Sequence, residues 1–187
     1  MNNASNSLIK IVPYNELWPQ QYEFIASNLR EILPNVMRID HIGSTSIRGL
    51  AAKDIIDIQV TVKILDEEIL GVLQKNSYQV KEGVVCDSLV NSIEPMHKYF
   101  SKERTGERRA NIHIRKDKTL NQRYALLFRD YLRNCATTRE AYLQIKKRLA
   151  MMYPHDINGY LSIKDPVMDI IFMGAEMWAT KNHWSQN

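Results

Sequence analysis

Cysteine is scarce in this 187-residue chain: Cys86 and Cys135 are the only two, and no pair of metal-binding spacings can be built from them. That excludes a disulfide-framed or zinc-ribbon fold and reads as reduced thiols in a cytoplasmic protein. No apolar run approaches the roughly 20 residues of a membrane span, so no membrane partner is expected. The opening MNNASNSLIK lacks a charged stretch followed by an apolar core, so no secretory leader is expected either. Charge of one sign is in small excess. The 25 Lys and Arg against 21 Asp and Glu give +4, which permits a polyanionic partner without requiring one. There is no internal repeat and no low-complexity segment. A Walker A loop is also missing, because Gly43-Ser44-Thr45-Ser46 is not followed by Lys-Ser or Lys-Thr at the required offset.

What is present is an ordinary globular composition, 44% hydrophobic and 25% charged, in a chain long enough to bury a proper core. The pattern predicts a disordered polar tail over residues 1–7 and one domain over 8–181, whose part from 118 to 181 is helical. Leu8 to Val12 reads as an edge strand or an extended lead-in. Trp18, Tyr22, Ile25, Leu29 and Ile32 make one apolar face of a helix over 17–33, which Pro34 ends. Strands are expected over 37–42, 54–62, 78–85, 96–101 and 109–115, with a helix over 66–75 and the last two strands antiparallel. Helices are expected over 120–134, 138–152 and 156–181, the last kinked or split at Pro166 or Gly174. The fold class is α+β: a mixed sheet flanked by helices, with a helical C-terminal third.

The chemistry concentrates between Asp40 and Val62. Gly43 lets backbone approach a ligand, and the following N–H groups and Ser44 hydroxyl suit phosphate oxygens, although Gly and Ser also make plain turns. In the next strand Ile56, Ile58 and Val60 point one way, while Ile55, Asp57, Gln59 and Thr61 point the other. Asp57 is therefore a candidate Mg²⁺ ligand or a hydrogen-bonded structural carboxylate. Lys53, at the head of that strand, and Arg109, ahead of a later one, are candidates to balance phosphate charge or to be exposed side chains. His113 lies on a polar strand face between Asn111 and Arg115, as a base, a phosphate contact or a structural histidine. His41 is placed to orient the Gly-Ser turn. The basic run Lys102, Arg104, Arg108, Arg109, Arg115, Lys116 and Lys118 faces either phosphates or solvent.

These pieces resemble the GrpB family, a branch of the nucleotidyltransferase superfamily. The resemblance rests on Val12-Pro13-Tyr14-Asn15 with Trp18-Pro19, on His41 to Ser46 with Gly49 to Lys53, and on Ile55 to Ile58. Asn111 to Ile114, Phe128 to Leu132, Tyr160, Lys164 and Trp178-Ala179 complete it. It implies a minimal nucleotidyltransferase-like sheet, with Gly43 and Ser44 cradling nucleotide phosphates, Asp57 holding Mg²⁺, and a nucleotidyl group passed to an acceptor as pyrophosphate leaves. The family is also found fused to dephospho-coenzyme A kinase. The chain departs from the superfamily at Gln59, where a second carboxylate is expected, and at His113, where a third is. It departs from relatives that carry proline at the positions of Arg48 and Asp54. Asp87 and Glu94 are the carboxylates that could fill the vacancy.

The expected partner is thus a nucleotide or another phosphorylated small molecule. The alternative to transfer is a non-catalytic nucleotide- or coenzyme-A-related binding module on the same fold. Nucleic acid, held by the basic hairpin over 102–118, ranks third.

Overall fold

The computed structural model describes residues 8–87 and 96–186; the expected tail and Glu94 lie outside them. Helix α1 (Trp18–Ile32) precedes strand β1 (Val36–Ile42), a short 3₁₀ turn at Ser44–Ser46, and strand β2 (Ile56–Val62). Helix α2 (Glu68–Lys75) and strands β3 (Tyr78–Asp87), β4 (Met96–Arg104) and β5 (Ala110–Lys116) follow. The chain then continues as α3 (Leu120–Asn134), α4 (Ala136–Met152) and α5 (Ile157–Lys181). The five strands form one mixed sheet in the order β1-β2-β5-β4-β3. Strand β2 runs parallel to β5, and the other neighbours are antiparallel, including β4 with β5. The α+β expectation and its helical C-terminal third therefore hold, with element ends within three residues of those read from the pattern.

The aliphatic face of the sheet makes the main core. Ile56, Ile58 and Val60 of β2 and Ile112 and Ile114 of β5 are fully buried, packed with Trp18, Ile25 and Leu29 of α1. Helix α1 forms where Pro19 sets the first turn and apolar residues recur on one side; it stops at Leu33, whose extended backbone precedes Pro34. Trp18 Nε1 donates to Asp54 Oδ1 at 2.7 Å, which fixes the start of β2 against this helix.

The polar face is buried as well. Gln59 and Thr61 have no exposed surface, because α3 lies across β1, β2 and β5 and brings α4 and α5 with it. Burying an amide requires partners. Gln59 Nε2 donates to the Gln122 carbonyl of α3 at 3.1 Å, and Gln59 Oε1 accepts from Arg115 Nη1 at 2.7 Å. Two arginines of α3 reach back in turn: Arg129 Nη1 donates to the His41 carbonyl at 3.1 Å, and Arg133 Nη2 to the Ser46 carbonyl at 2.8 Å.

The last helix is not split: α5 runs as one helix of 25 residues with Pro166 inside it. Proline removes one N–H bond, but Tyr160, Phe172, Ala175 and Ala179 bury the helix on both sides of that point. The basic run divides: Lys102, Arg109, Lys116 and Lys118 are exposed, and the other three are engaged by the protein. Arg115 is buried against Asp87 and Gln59, Arg108 bonds Gln21 and Asp54, and Arg104 bonds the Asn76 carbonyl over the Tyr78 ring. Leu8 to Val12 is the extended lead-in, joined to the rest by Val12 pairing with Ala52 and by Ile9 N–H donating to the Pro154 carbonyl at 2.8 Å. Among the described residues no helix is long and apolar enough to cross a membrane.

Because Ile112 is fully buried at the centre of the main core, Ile112→Ala is expected to cost about 2–5 kcal/mol. Urea unfolding would measure it, and a loss below about 1 kcal/mol would show that the site collapses to fill the space.

Candidate functional site

A cleft of about 560 Å³ opens between the polar face of the sheet and the helical layer. Gly43, Ser44, Lys53, Asp57 and His113 all line it. Arg109, the sixth residue singled out from the sequence, is exposed ahead of β5 and is not among the lining residues.

The floor is made by the turn after β1. Gly43 has φ +66°, a conformation that side chains disfavour, and a Cβ there would run into Asp57 Oδ2 and lie 2.9 Å from Asp57 Cβ. The backbone of the turn therefore lies directly on the carboxylate. Ser46 Oγ donates to the Gly43 carbonyl at 2.7 Å, closing the turn. His41 Nε2 is 3.0 Å from Thr45 Oγ1 and its ring stacks on Tyr22 at 4.8 Å. Burial, with Arg133 and Arg129 nearby, pushes His41 down to about 3, so the ring is neutral and holds the turn by hydrogen bonding.

Asp57 Oδ1 accepts from Asn111 Nδ2 of the parallel strand at 2.8 Å. Burial raises the Asp57 carboxyl, and the Asn111 bond and the charges of Lys53 and Lys164 oppose that rise. The helical layer supplies the residue that sequence reasoning missed. Lys146 of α4 is 3% exposed; its Nζ donates to Ser44 Oγ at 3.0 Å and to the Ala51 carbonyl at 2.7 Å. Burial, then the charges of Lys164 and Lys53, bring it down to about 7 against the pull of Asp57. Lys53 is lowered as well, by burial first and then by Lys164 and Arg109, against Asp57. Its ammonium lies over the Tyr160 ring, 5.5 Å from the centroid. One signal for Lys146 was present: it falls between Tyr142 and Leu149 on the buried stripe of α4, a place where an apolar residue is the rule.

At the other end of the cleft, Lys98 Nζ lies 3.2 Å from His113 Nδ1 and also pairs with Asp87. His113 is driven well below the ordinary histidine range by burial and by Arg115 and Lys98. A neutral ring that accepts from an ammonium at Nδ1 carries its proton on Nε2 and presents an N–H donor. Asp87 binds Lys98 through Oδ1 and Arg115 through Oδ2, at 2.9 Å to Nη2, and accepts from Asn121 Nδ2 at 3.2 Å. Burial alone would raise Asp87; Arg115 and Lys98 outweigh it and hold it at about 2.

These partnerships decide the fit of Mg²⁺. The ion takes a near-octahedral oxygen shell, usually with one or two protein carboxylates. Asp57 has one oxygen engaged by Asn111, Gln59 is bonded at both ends, and Asp87 is held by two cations. Among the described residues no group of three His, Cys, Asp or Glu is arranged to hold a metal. The described residues thus do not make a Mg²⁺ site of their own around Asp57.

Two outcomes follow. Gly43→Ala is expected to destabilise by about 1–3 kcal/mol through backbone strain and overlap with Asp57. In a double-mutant cycle with Asp57→Ala, part of that cost should disappear, by more than about 0.5 kcal/mol; strict additivity would contradict the contact. His41 is lowered on folding, so its contribution to stability is complete above the ordinary 6.5 and is lost as pH falls toward 3. Urea unfolding at pH 7 and pH 5 should show the decline, to which the similarly lowered His113 also contributes, and His41→Gln should remove part of it; an unchanged slope would rule out His41 as a cause.

A family model described as GrpB protein matches residues 8–173. The crystal structure of GrpB from Enterococcus faecalis is similar at a TM-score of 0.73 and 29% identity, over 94% of this chain and 100% of that one. A dephospho-CoA kinase of Mycolicibacterium paratuberculosis is 31% identical over 94% of this chain and 48% of its own length. The chain thus spans about half the length of the first curated relatives it matches. The UPF0157 protein of Streptomyces coelicolor is 30% identical over 86% of this chain and 80% of its own. With a family model matched across nearly all of the domain, and a relative solved in the same architecture, the chain belongs to the GrpB family.

Proposed function

We propose that the cleft binds the phosphate part of a nucleotide or of another phosphorylated small molecule, and that recognition of this ligand is its principal role. The observation that carries the proposal is the meeting of Lys53, Lys146 and Lys164 around one carboxylate, Asp57, beside the Ser44 hydroxyl. Lys164 and Lys53 both lower the proton affinity of Lys146, a cost that an anion held beside it relieves. Lys53 and Ser44, chosen as phosphate contacts from the sequence, act together with Lys146 in this proposal. His113 offers an N–H donor at the far end. Arg109 contributes charge from outside the cleft.

Mg²⁺ in this proposal arrives as the counter-ion of the ligand's phosphates, with Asp57 Oδ2 as the protein atom nearest the turn, and no step is assigned to it. Transfer of a nucleotidyl group, as the superfamily resemblance implies, is the second reading; the carboxylate Asp57 under the Gly43 turn is what favours it. The dispersal of the basic run favours a small ligand over nucleic acid.

Thermal unfolding with ATP, GTP, CTP, UTP and inorganic phosphate, with and without Mg²⁺, tests the proposal. A ligand at a hundred times its Kd adds about 2.7 kcal/mol. Lys146→Met and Lys53→Met should each weaken the effect at least tenfold in Kd, and Mg²⁺ should matter little to protein without nucleotide. Burial and the neighbouring lysines hold Lys146 at about 7, and an anion beside it raises that value. Affinity should therefore be greatest below pH 7 and fall by up to about tenfold per unit above it. No shift with any of these ligands would overturn the proposal, and pyrophosphate release dependent on Asp57 would replace it by the transfer reading.

A further inference from the structure

Ser44 and Lys146 have a second chemical capacity, separate from phosphate binding. Their contact, Oγ to Nζ at 3.0 Å, is hydrogen-bonded and joins residues 102 apart in the chain. Ser44 is partly exposed at the wall of the cleft, and Lys146 lines the same wall at 3% exposure. The lysine is held in place: Ala51 carbonyl accepts one of its N–H bonds at 2.7 Å, and the Tyr142 ring lies 4.9 Å from its nitrogen. Tyr142 also interacts with Ser44 through its hydroxyl. A serine hydroxyl becomes a nucleophile when a fixed base can take its proton, and an uncharged lysine is one such base.

We propose that Ser44 is a nucleophile served by Lys146 as its base, and that the unit attacks the carbonyl carbon of an uncharged carboxylic ester bound in this cleft. The bond from Ser44 Oγ to the acyl carbon forms as the serine proton passes to Lys146 Nζ. The ester C–O bond then breaks, and the alcohol leaves with that proton. Water repeats the sequence on the acyl-serine and releases the acid, so no oxidant, metal or second substrate is needed.

The groups facing Lys146 select this electrophile over a phosphate. Lys53 and Lys164 disfavour its protonation, Asp57 favours it, and with burial the balance lies at about 7. A phosphate beside Ser44 would add to the pull of Asp57 and keep the lysine cationic, without a free electron pair; a neutral ester leaves the pair available. Nucleophilic reactivity therefore rises with pH through 7, while anion affinity falls through the same range.

The full chain treated with a fluorophosphonate probe, followed by peptide mass spectrometry, tests this. The expected result is labelling at Ser44, abolished in Ser44→Ala, with a rate that rises about tenfold per unit up to pH 7 and levels above it. Lys146→Arg keeps the charge and a donor for Ala51 but takes no proton, and should slow labelling at least a hundredfold. Circular dichroism establishes that this variant is folded. If it is not, the pH profile of the unaltered chain decides the matter. Hydrolysis of p-nitrophenyl butyrate should show the same dependence on both residues. Absence of labelling, labelling elsewhere, or a rate indifferent to pH and to Lys146→Arg would overturn the proposal. The phosphate-binding proposal stands or falls separately, on the thermal shifts.

Discussion

A glycine backbone resting on a carboxylate is the contact on which the site depends. Gly43 approaches Asp57 so closely that no side chain fits between them, and the turn that follows places Ser44 at the cleft wall. Every other support acts on that turn. His41 holds Thr45, Arg129 and Arg133 hold the carbonyls of His41 and Ser46, and Lys146 comes from the far layer to meet Ser44. The sheet side gives the acid, the turn and Lys53, and the helical third gives Lys146 and Lys164.

The second constraint is the burial of the sheet's polar face. Charged and amide groups there must find partners in the protein, because α3 excludes water from them. Gln59 is satisfied at both ends, Asp87 is shared by Lys98 and Arg115, and Asn111 is bonded to Asp57. This network explains why the cleft has few free carboxylates among the described residues. Gln59 is not merely a missing ligand; its amide ties α3 to β5, a task for which a carboxylate lacks the donor.

Much of the fold was legible because it depends on local rules. The alternation over β2 and β5 named their faces, and the apolar stripe and Pro34 marked α1. The Gly-Ser turn and Asp57 were legible as neighbours because a turn and the antiparallel strand after it bring them together, with Ile42 opposite Asp57 in the register. Lys146 was not, since its role depends on a contact between residues 102 apart. The basic run could not be assigned a single environment, for a local reason. Strand alternation sends consecutive charges to different faces, so Arg115 enters the interior while Lys116 stays exposed. Likewise, Pro166 suggested a break that packing on either side of it prevents.

The lysines of the cleft do not belong to one layer. Lys53 rides on the sheet side, and Lys146 and Lys164 on the helices, so their mutual repulsion acts across the seam between two bodies of the fold. Asp57 lies among these lysines and offsets part of that repulsion, and Lys164 is further paired with Asp165. Under the proposed function an anion would complete this compensation from both layers at once, so that ligand binding and the cohesion of the sheet with its helical layer would be one event.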